Sequence, residues 1–312
     1  MEPLVSVIMP SYNAEHYIGE AIESVLCQTY KNWELLAIED CSSDHTLDVI
    51  RSYQDERIRV FCNSENLGIA DSTNRGILES RGKYIALLDD DDIAEKDRLM
   101  LQVAYLEQHP QADILGGRTT LIDEKGNVVE RLKEPRNNPK YIKAVLLFSC
   151  MDFMNSTAMI RKEFILHNNL YYRNGCYGMQ DYRFYMESSK IGTITTINEF
   201  LLRHRIHNNN ETEKNLRDHK KERAEVYAQF QRYSLWKSGY RLREEALDFI
   251  NRMLAERGGG CSSKSELKQL YEIFKELLRQ GKQMDIDYYQ ELQHVCKMKL
   301  SEQLAKIEDL FE

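Results

Sequence analysis

Apolar and polar positions follow two alternating periods over the first hundred residues. Residues 4–10 (LVSVIMP) form a nearly unbroken apolar run ended by Pro10, the pattern of a strand covered on both faces. Residues 14–28 then place Ile18, Ala21, Ile22, Val25 and Leu26 at helical spacing. The alternation repeats: strands are predicted at 34–39, 58–62 and 84–88, and helices at 45–54 and 69–80. Strands separated by helices imply crossover connections and a parallel sheet. The fold class is therefore α/β, with a mostly parallel central sheet flanked by helices.

Beyond residue 97 the pattern loosens. A helix is expected over 97–109, and a hairpin from 113–118 and 128–132 around Lys125-Gly126-Asn127. A strand is expected at 155–160, a helix at 180–191 and extended chain at 193–207. From Glu213 onward Lys, Glu, Arg, Leu and Gln dominate, so 213–312 is expected to be helical. Gly258-Gly259-Gly260 is a break, and Ser263 with Glu266 has the spacing of a capping box. The helix after it would bury Leu267, Leu270, Ile273, Phe274 and Leu277.

The net charge of −8 over 312 residues argues against nucleic acid as a partner. Seven scattered cysteines without a CxxC pair suggest reduced thiols rather than a disulfide or zinc framework. The N-terminal segment has no basic start or long apolar core, and no run of about 18 apolar residues occurs. The expected location is cytoplasmic, with the inner membrane face accessible.

Chemistry concentrates where strands end. The 84–88 strand runs into four consecutive aspartates, Asp89 to Asp92. Adjacent carboxylates repel unless a cation or hydrogen-bond donors offset them. They are hard oxygen donors suited to Mg²⁺ or Mn²⁺. A solvated acidic loop or a helix-capping cluster is the competing reading. Asp40 follows the 34–39 strand, so both acidic sites should share the carboxyl edge of the sheet, where open α/β folds bind ligands. Pro10, Ser11 and Tyr12 could offer an aromatic shelf for a nucleobase, with Asp40 accepting an imide N–H. Asp44 reads as a turn residue that caps the next helix.

The strings VSVIMPSYNAEHYIGEAIESVLCQTY, LLAIEDCSSDHT, ENLGIADSTNRGI and GKYIALLDDDDI occur in this order. They resemble the inverting family 2 glycosyltransferases of GT-A fold. The likeness continues through Gln180-Asp181 and LLRHRIH to about residue 212. It implies a GT-A catalytic domain at 1–212, with a nucleotide-sugar half at about 1–110 and an acceptor half at about 111–212. Residues 213–312 would be a C-terminal helical appendage.

By this resemblance Asp40, Pro10, Ser11 and Tyr12 contact the base, and Asp89 lies near the ribose. Asp91 binds Mn²⁺ or Mg²⁺, His207 joins the metal or diphosphate, and Asp181 is the catalytic base. Asn74 borders the nucleotide-sugar pocket. Asp90 belongs with the nucleotide-sugar-binding residues and adds charge beside the metal, Asp92 caps the turn, and Arg205 is a phosphate or metal candidate. The chain departs from the family pattern at Glu39, Cys41 and Gln180, and Gln180 affects the acceptor side.

The implied reaction moves a sugar from a nucleotide diphosphate, with UDP favoured by Asp40, to a hydroxyl of a glycan or lipid-linked glycan acceptor. The product would be a β-linkage in a surface polysaccharide such as lipopolysaccharide. A non-catalytic nucleotide-sugar-binding or scaffolding protein is the alternative. Lys220, Lys221, Arg223, Lys275 and Arg279 leave the tail open to a lid role, peripheral membrane contact or homo-oligomer formation.

Overall fold

Four strands carry the first layer of the fold: β1 (Val5–Ser11), β2 (Trp33–Glu39), β3 (Ile58–Cys62) and β4 (Tyr84–Leu87). They pair in parallel in the order β3-β2-β1-β4. All seven residues of β2 and all four of β4 are buried; in β2 these include Glu34, which accepts from Ser6 Oγ at 2.6 Å and Arg59 at 2.9 Å. The connecting helices are α1 (Ile18–Leu26), α2 (Thr46–Ser52) and α3 (Ile69–Glu79). Helix α3 lies so close to β1 that a Cβ on Gly76 would come within 2.4 Å of Ile8 Cγ2.

These coordinates are a computed structural model describing residues 2–150, 153–255 and 259–308. The chain divides into two compact units. The first comprises Met1–Asn137, Asp152–Gly175 and Ile191–Asn210; the second comprises Asn138–Met151, Cys176–Lys190 and Glu211–Glu312.

In the first unit the parallel strands give way to a mixed sheet. Strand β5 (Ile93–Ala94) and helix α4 (Arg98–Gln108) precede the long β6 (Ile114–Ile122), and β7 (Val128–Arg131) returns on β6 as the expected hairpin. Asp123 Oδ1 accepts from the Lys125 and Asn127 N–H groups, and Gly126 has φ 83° in that turn. β8 (Met159–Arg161) joins β4 to β6 with antiparallel pairing on both sides. β9 (Ile194–Arg205) runs parallel to β6 and antiparallel to β5. One continuous core, including Ile18, Leu35, Leu88, Leu99 and Leu202, lies beneath this sheet.

Several local expectations change. The 155–160 stretch splits into a 3₁₀ turn (Asn155–Thr157) and β8, because Ala158 N–H bonds back to Asn155 O. Helix α1 begins at Ile18 rather than residue 14. Asn13 sits at φ 52°, and the N–H groups of Ala14 and Glu15 go to Thr46 Oγ1 and Asp44 Oδ2. Asp44 also accepts from the Thr46 N–H, as its turn role requires. Short helix α6 (Lys162–His167) was not anticipated.

The second unit is helical. It contains α5 (Pro139–Val145), α7 (Gln180–Ser188), α8 (Glu211–Asp218), α9 (Lys220–Lys237), α10 (Glu244–Met253), α11 (Lys264–Gln283) and α12 (Tyr289–Glu308). Its core joins Phe148, Leu235, Ile250, Phe274, Leu277, Leu292 and Val295. On α11, Leu270, Ile273, Phe274 and Leu277 are buried as expected, with Leu267 partly buried against them. Ser263 Oγ accepts from the Glu266 N–H at 3.2 Å, but Glu266 returns its carboxylate to Ser262 rather than to Ser263. Gly258 lies outside the described residues; Gly259 and Gly260 stand in the loop before α11. Among the described residues no helix is long and apolar enough to cross a membrane.

Candidate active site

Parallel strands β2, β1 and β4 bring three turns to one sheet edge: residues 40–44, 10–13 and 88–92. Hydrogen bonds lace these turns together. Tyr12 N–H donates to Asp90 Oδ2 at 3.0 Å, Asn13 N–H to Ser42 Oγ at 3.1 Å, and Ser43 N–H to Asn13 Oδ1 at 2.9 Å. The Tyr12 ring is 46% exposed at this edge, whereas Ser11 is buried and bonds Met9 O. Pro10 is half-buried beside them.

Asp40 is buried and accepts three hydrogen bonds. Asn63 Nδ2 and Leu67 N–H reach Oδ1 at 2.6 and 2.9 Å, and Gly68 N–H reaches Oδ2 at 2.8 Å. The carboxylate thus anchors the loop that leads into α3. Cys41, in the place of the family's usual glycine, takes the left-handed φ of 60° that the turn requires. Asn74 is fully engaged by the backbone of Tyr172, donating to its carbonyl at 2.8 Å and accepting from its N–H at 2.9 Å.

The four aspartates occupy four environments. Asp89 accepts from Ser156 Oγ at 2.5 Å; burial, with Asp92 and Asp91 adding repulsion, pushes its carboxyl up to about 7. Burial, then the charge of Asp91, raises Asp90 well above the usual range despite the Tyr12 N–H. Asp91 Oδ2 meets His207 Nε2 at 2.8 Å and Asn210 Nδ2 at 3.0 Å. The Tyr17 ring lies 5.0 Å from the His207 ring and supports it.

Asp92 does not cap the turn toward Ile93. It is fully buried, and its Oδ1 takes the His204 ring nitrogen at 2.9 Å and the Arg205 N–H at 3.0 Å. Burial opposes charge on His204, but Asp92, Asp91 and Asp89 together push it up to about 9, so it is an imidazolium at neutral pH. Arg205 is no phosphate ligand in this arrangement. Its buried guanidinium bonds Asp91 O, Glu124 O and Glu20, and sits 4.7 Å from the Tyr17 ring centre.

Asp91 Oδ2 and His207 Nε2 lie 2.8 Å apart and bond to one another; of the two, the carboxylate is the ligand type that Mn²⁺ or Mg²⁺ prefers. Among the described residues no group of three or more His, Cys, Asp or Glu is arranged to hold a cation. Sequence reasoning missed Ser156, Asn63, His204 and Asn210. Of these, only Asn210 carried a signal, three residues after His207.

Asp181 belongs to the second unit, in the first turn of α7. Its Oδ1 accepts from the Tyr182 N–H at 2.7 Å, and the Cys150 thiol approaches Oδ2 at 3.7 Å. Burial raises this carboxyl, whereas the Tyr182 N–H and the Arg223 charge oppose the rise.

The sequence profile of glycosyl transferase family 2 matches residues 6–167. The chain belongs to this family. An uncharacterized glycosyltransferase of Haemophilus influenzae is 34% identical to this glycosyltransferase over 217 residues, covering 66% of this chain and 67% of its own length. The Escherichia coli protein WfgD, named as a UDP-Glc:alpha-D-GlcNAc-diphosphoundecaprenol beta-1,3-glucosyltransferase, is 46% identical over 103 residues. That match spans 33% of this chain and 41% of WfgD. The crystal structure of S. aureus TarS 1–349 in complex with UDP-GlcNAc matches with a TM-score of 0.64 at 18% identity, covering 98% of this chain and 91% of that one. The fold is the GT-A-like α/β arrangement expected, with a mixed rather than mostly parallel sheet.

Proposed function

We propose that this glycosyltransferase moves a sugar from UDP to a hydroxyl of a growing surface glycan, with metal dependence and inversion to a β-linkage. The Asp91–His207–Asn210 cluster carries the reading. It sets the Asp91 carboxylate, a hard oxygen donor, against His207 and Asn210 at the sheet edge that also holds Tyr12 and Asp40. The named activity of WfgD and the UDP-GlcNAc complex of TarS support a UDP-sugar and a glycan or lipid-linked acceptor.

A carboxylate offers about four lone-pair sites. Asp40 uses three within its own chain, which leaves one for the imide N–H of uracil. Tyr12 supplies an exposed ring for the base, with Pro10 and Ser11 shaping the turn behind it. Asn74, clamped on Tyr172, shapes the pocket border. Asp89 and Asp90 face the nucleotide. Asp91 and His207 would hold Mn²⁺ or Mg²⁺, which supplies positive charge against the departing diphosphate. Asp181 removes the proton of the attacking hydroxyl. One displacement from the opposite face inverts an α-donor to a β-product.

Residues 1–212 carry these groups, in a protein acting at the cytoplasmic side of a membrane. Turnover of a UDP-sugar panel with Mn²⁺ tests the proposal. Asp181→Asn should lower kcat roughly 10²–10⁴-fold. Full activity in that variant would remove Asp181 as the base. A failure of every UDP-sugar to turn over or bind would sink the donor assignment.

A further inference from the structure

Helix α9 turns a polar stripe inward. Arg223, Tyr227, Gln231 and Ser234 recur at intervals of four, four and three residues, so they share one face. All four are buried. Each donates to a main-chain carbonyl: Arg223 to Tyr177 O, Tyr227 Oη to Phe148 O at 3.0 Å, Gln231 Nε2 to Phe148 O at 2.6 Å, and Ser234 Oγ to Leu146 O at 2.9 Å.

The accepting carbonyls belong to the two segments that deliver Cys150 and Asp181. Both segments lack regular structure where they are held. Gly175, Tyr177 and Gly178 all have positive φ, and for Tyr177 this conformation is costly. Arg223 holds the Tyr177 carbonyl, the His219 ring lies 5.4 Å from the Tyr177 ring, and a Cβ on Gly178 would stand 2.9 Å from Arg223 Nη1. Helix α7 begins at the next turn, with Asp181 in its first turn. Burying polar groups on a helix costs stability unless each is satisfied, and an apolar face would hold α9 without that cost. Directed hydrogen bonds do what apolar packing does not: they fix the height and direction of an irregular segment.

We propose that the Arg223–Tyr227–Gln231–Ser234 stripe of α9 positions Asp181, so that a C-terminal helix outside the family's matched region serves the reaction. The proposal rests on Asp181 being the base. Arg223 is the central positioning residue, because it holds the Tyr177 carbonyl and its charge also acts on Asp181. Among the described residues, the Cys150 thiol also faces that carboxyl.

The test uses the full chain and compares Arg223→Gln, Arg223→Lys, Tyr227→Phe and Asp181→Asn. Readouts are thermal unfolding, calorimetric UDP binding with Mn²⁺, and kcat and KM for UDP-sugar hydrolysis across pH. Arg223→Gln should retain UDP affinity and lose roughly 10–100-fold in kcat, as expected when a reacting group is misplaced by about 1 Å. The acid limb of its kcat profile should move to higher pH, because the cation opposing protonation of Asp181 is gone. Arg223→Lys should return that limb toward wild type. Tyr227→Phe should lower kcat severalfold at unchanged KM. Wild-type kcat and pH profile in Arg223→Gln, with Asp181→Asn inactive, would overturn the proposal. If Arg223→Gln does not fold, wild-type kcat in Tyr227→Phe overturns it. Full activity in Asp181→Asn instead removes the base assignment beneath it.

Discussion

Four identical side chains in a row perform different work. Asp91 is partly buried against His207 and Asn210, whereas Asp92 is fully buried against the His204 imidazolium. Their substitutions should therefore separate. Asp91→Asn should weaken Mn²⁺-dependent UDP binding in calorimetry and leave the urea midpoint near wild type. Asp92→Ala removes the charge partner of the partly buried His204 and should lower the urea midpoint clearly below wild type. Equal effects of both changes on stability would contradict this division. Neighbouring residues in the sequence carried no sign of it, because the partners of Asp92 lie on β9, more than a hundred positions away.

At the scale of elements, β1, β2 and β4 were legible because burial on both faces favours apolar runs, whereas β3, at the sheet edge, is only partly buried. Helix α5 was not anticipated, although Asn138 caps it by accepting from Lys140 and Tyr141 N–H, with Pro139 in its first turn. Strand β8 has only three residues, too few for a period to show. The corner after α7 yields a pH prediction. Lys190 donates to Ser238 Oγ at the end of α9, and burial, with Lys143 nearby, pushes its ammonium down to about 8. Below that value both folded and unfolded states hold the proton, and the full cost of burying the charge is present. Between about 8 and the unfolded value of about 10.4 the unfolded state binds more protons, so stability rises with pH. Thermal midpoints measured from pH 7.5 to 10 should show this rise, and Lys190→Met should flatten it.

For the whole molecule, the composition change near Glu213 marks where the helices begin but not how the chain is partitioned. Segments 138–151 and 176–190 share a compact unit with residues 211–312, and Phe148 packs with Phe274 at a ring separation of 5.5 Å. A chain cut after residue 212 would expose this core, so the 1–212 fragment should be insoluble or unfold less cooperatively than the full chain when both are followed by circular dichroism. A soluble, cooperatively folding 1–212 fragment would show that the two segments need no helical partner. The α/β class, the succession of the first four strands along the chain, the turns holding Asp40 and Asp89–Asp92, and the apolar face of α11 were all determined by the sequence itself. They depend on local periodicity, turn chemistry and motif spacing. The tertiary structure alone decided the pairing of Asp91 with His207 and Asn210, the burial of Asp92 and Arg205, the clamp on Asn74, and the polar face of α9. Each of these joins residues distant along the chain, and hydrogen-bond partners and burial across such distances leave no period to read.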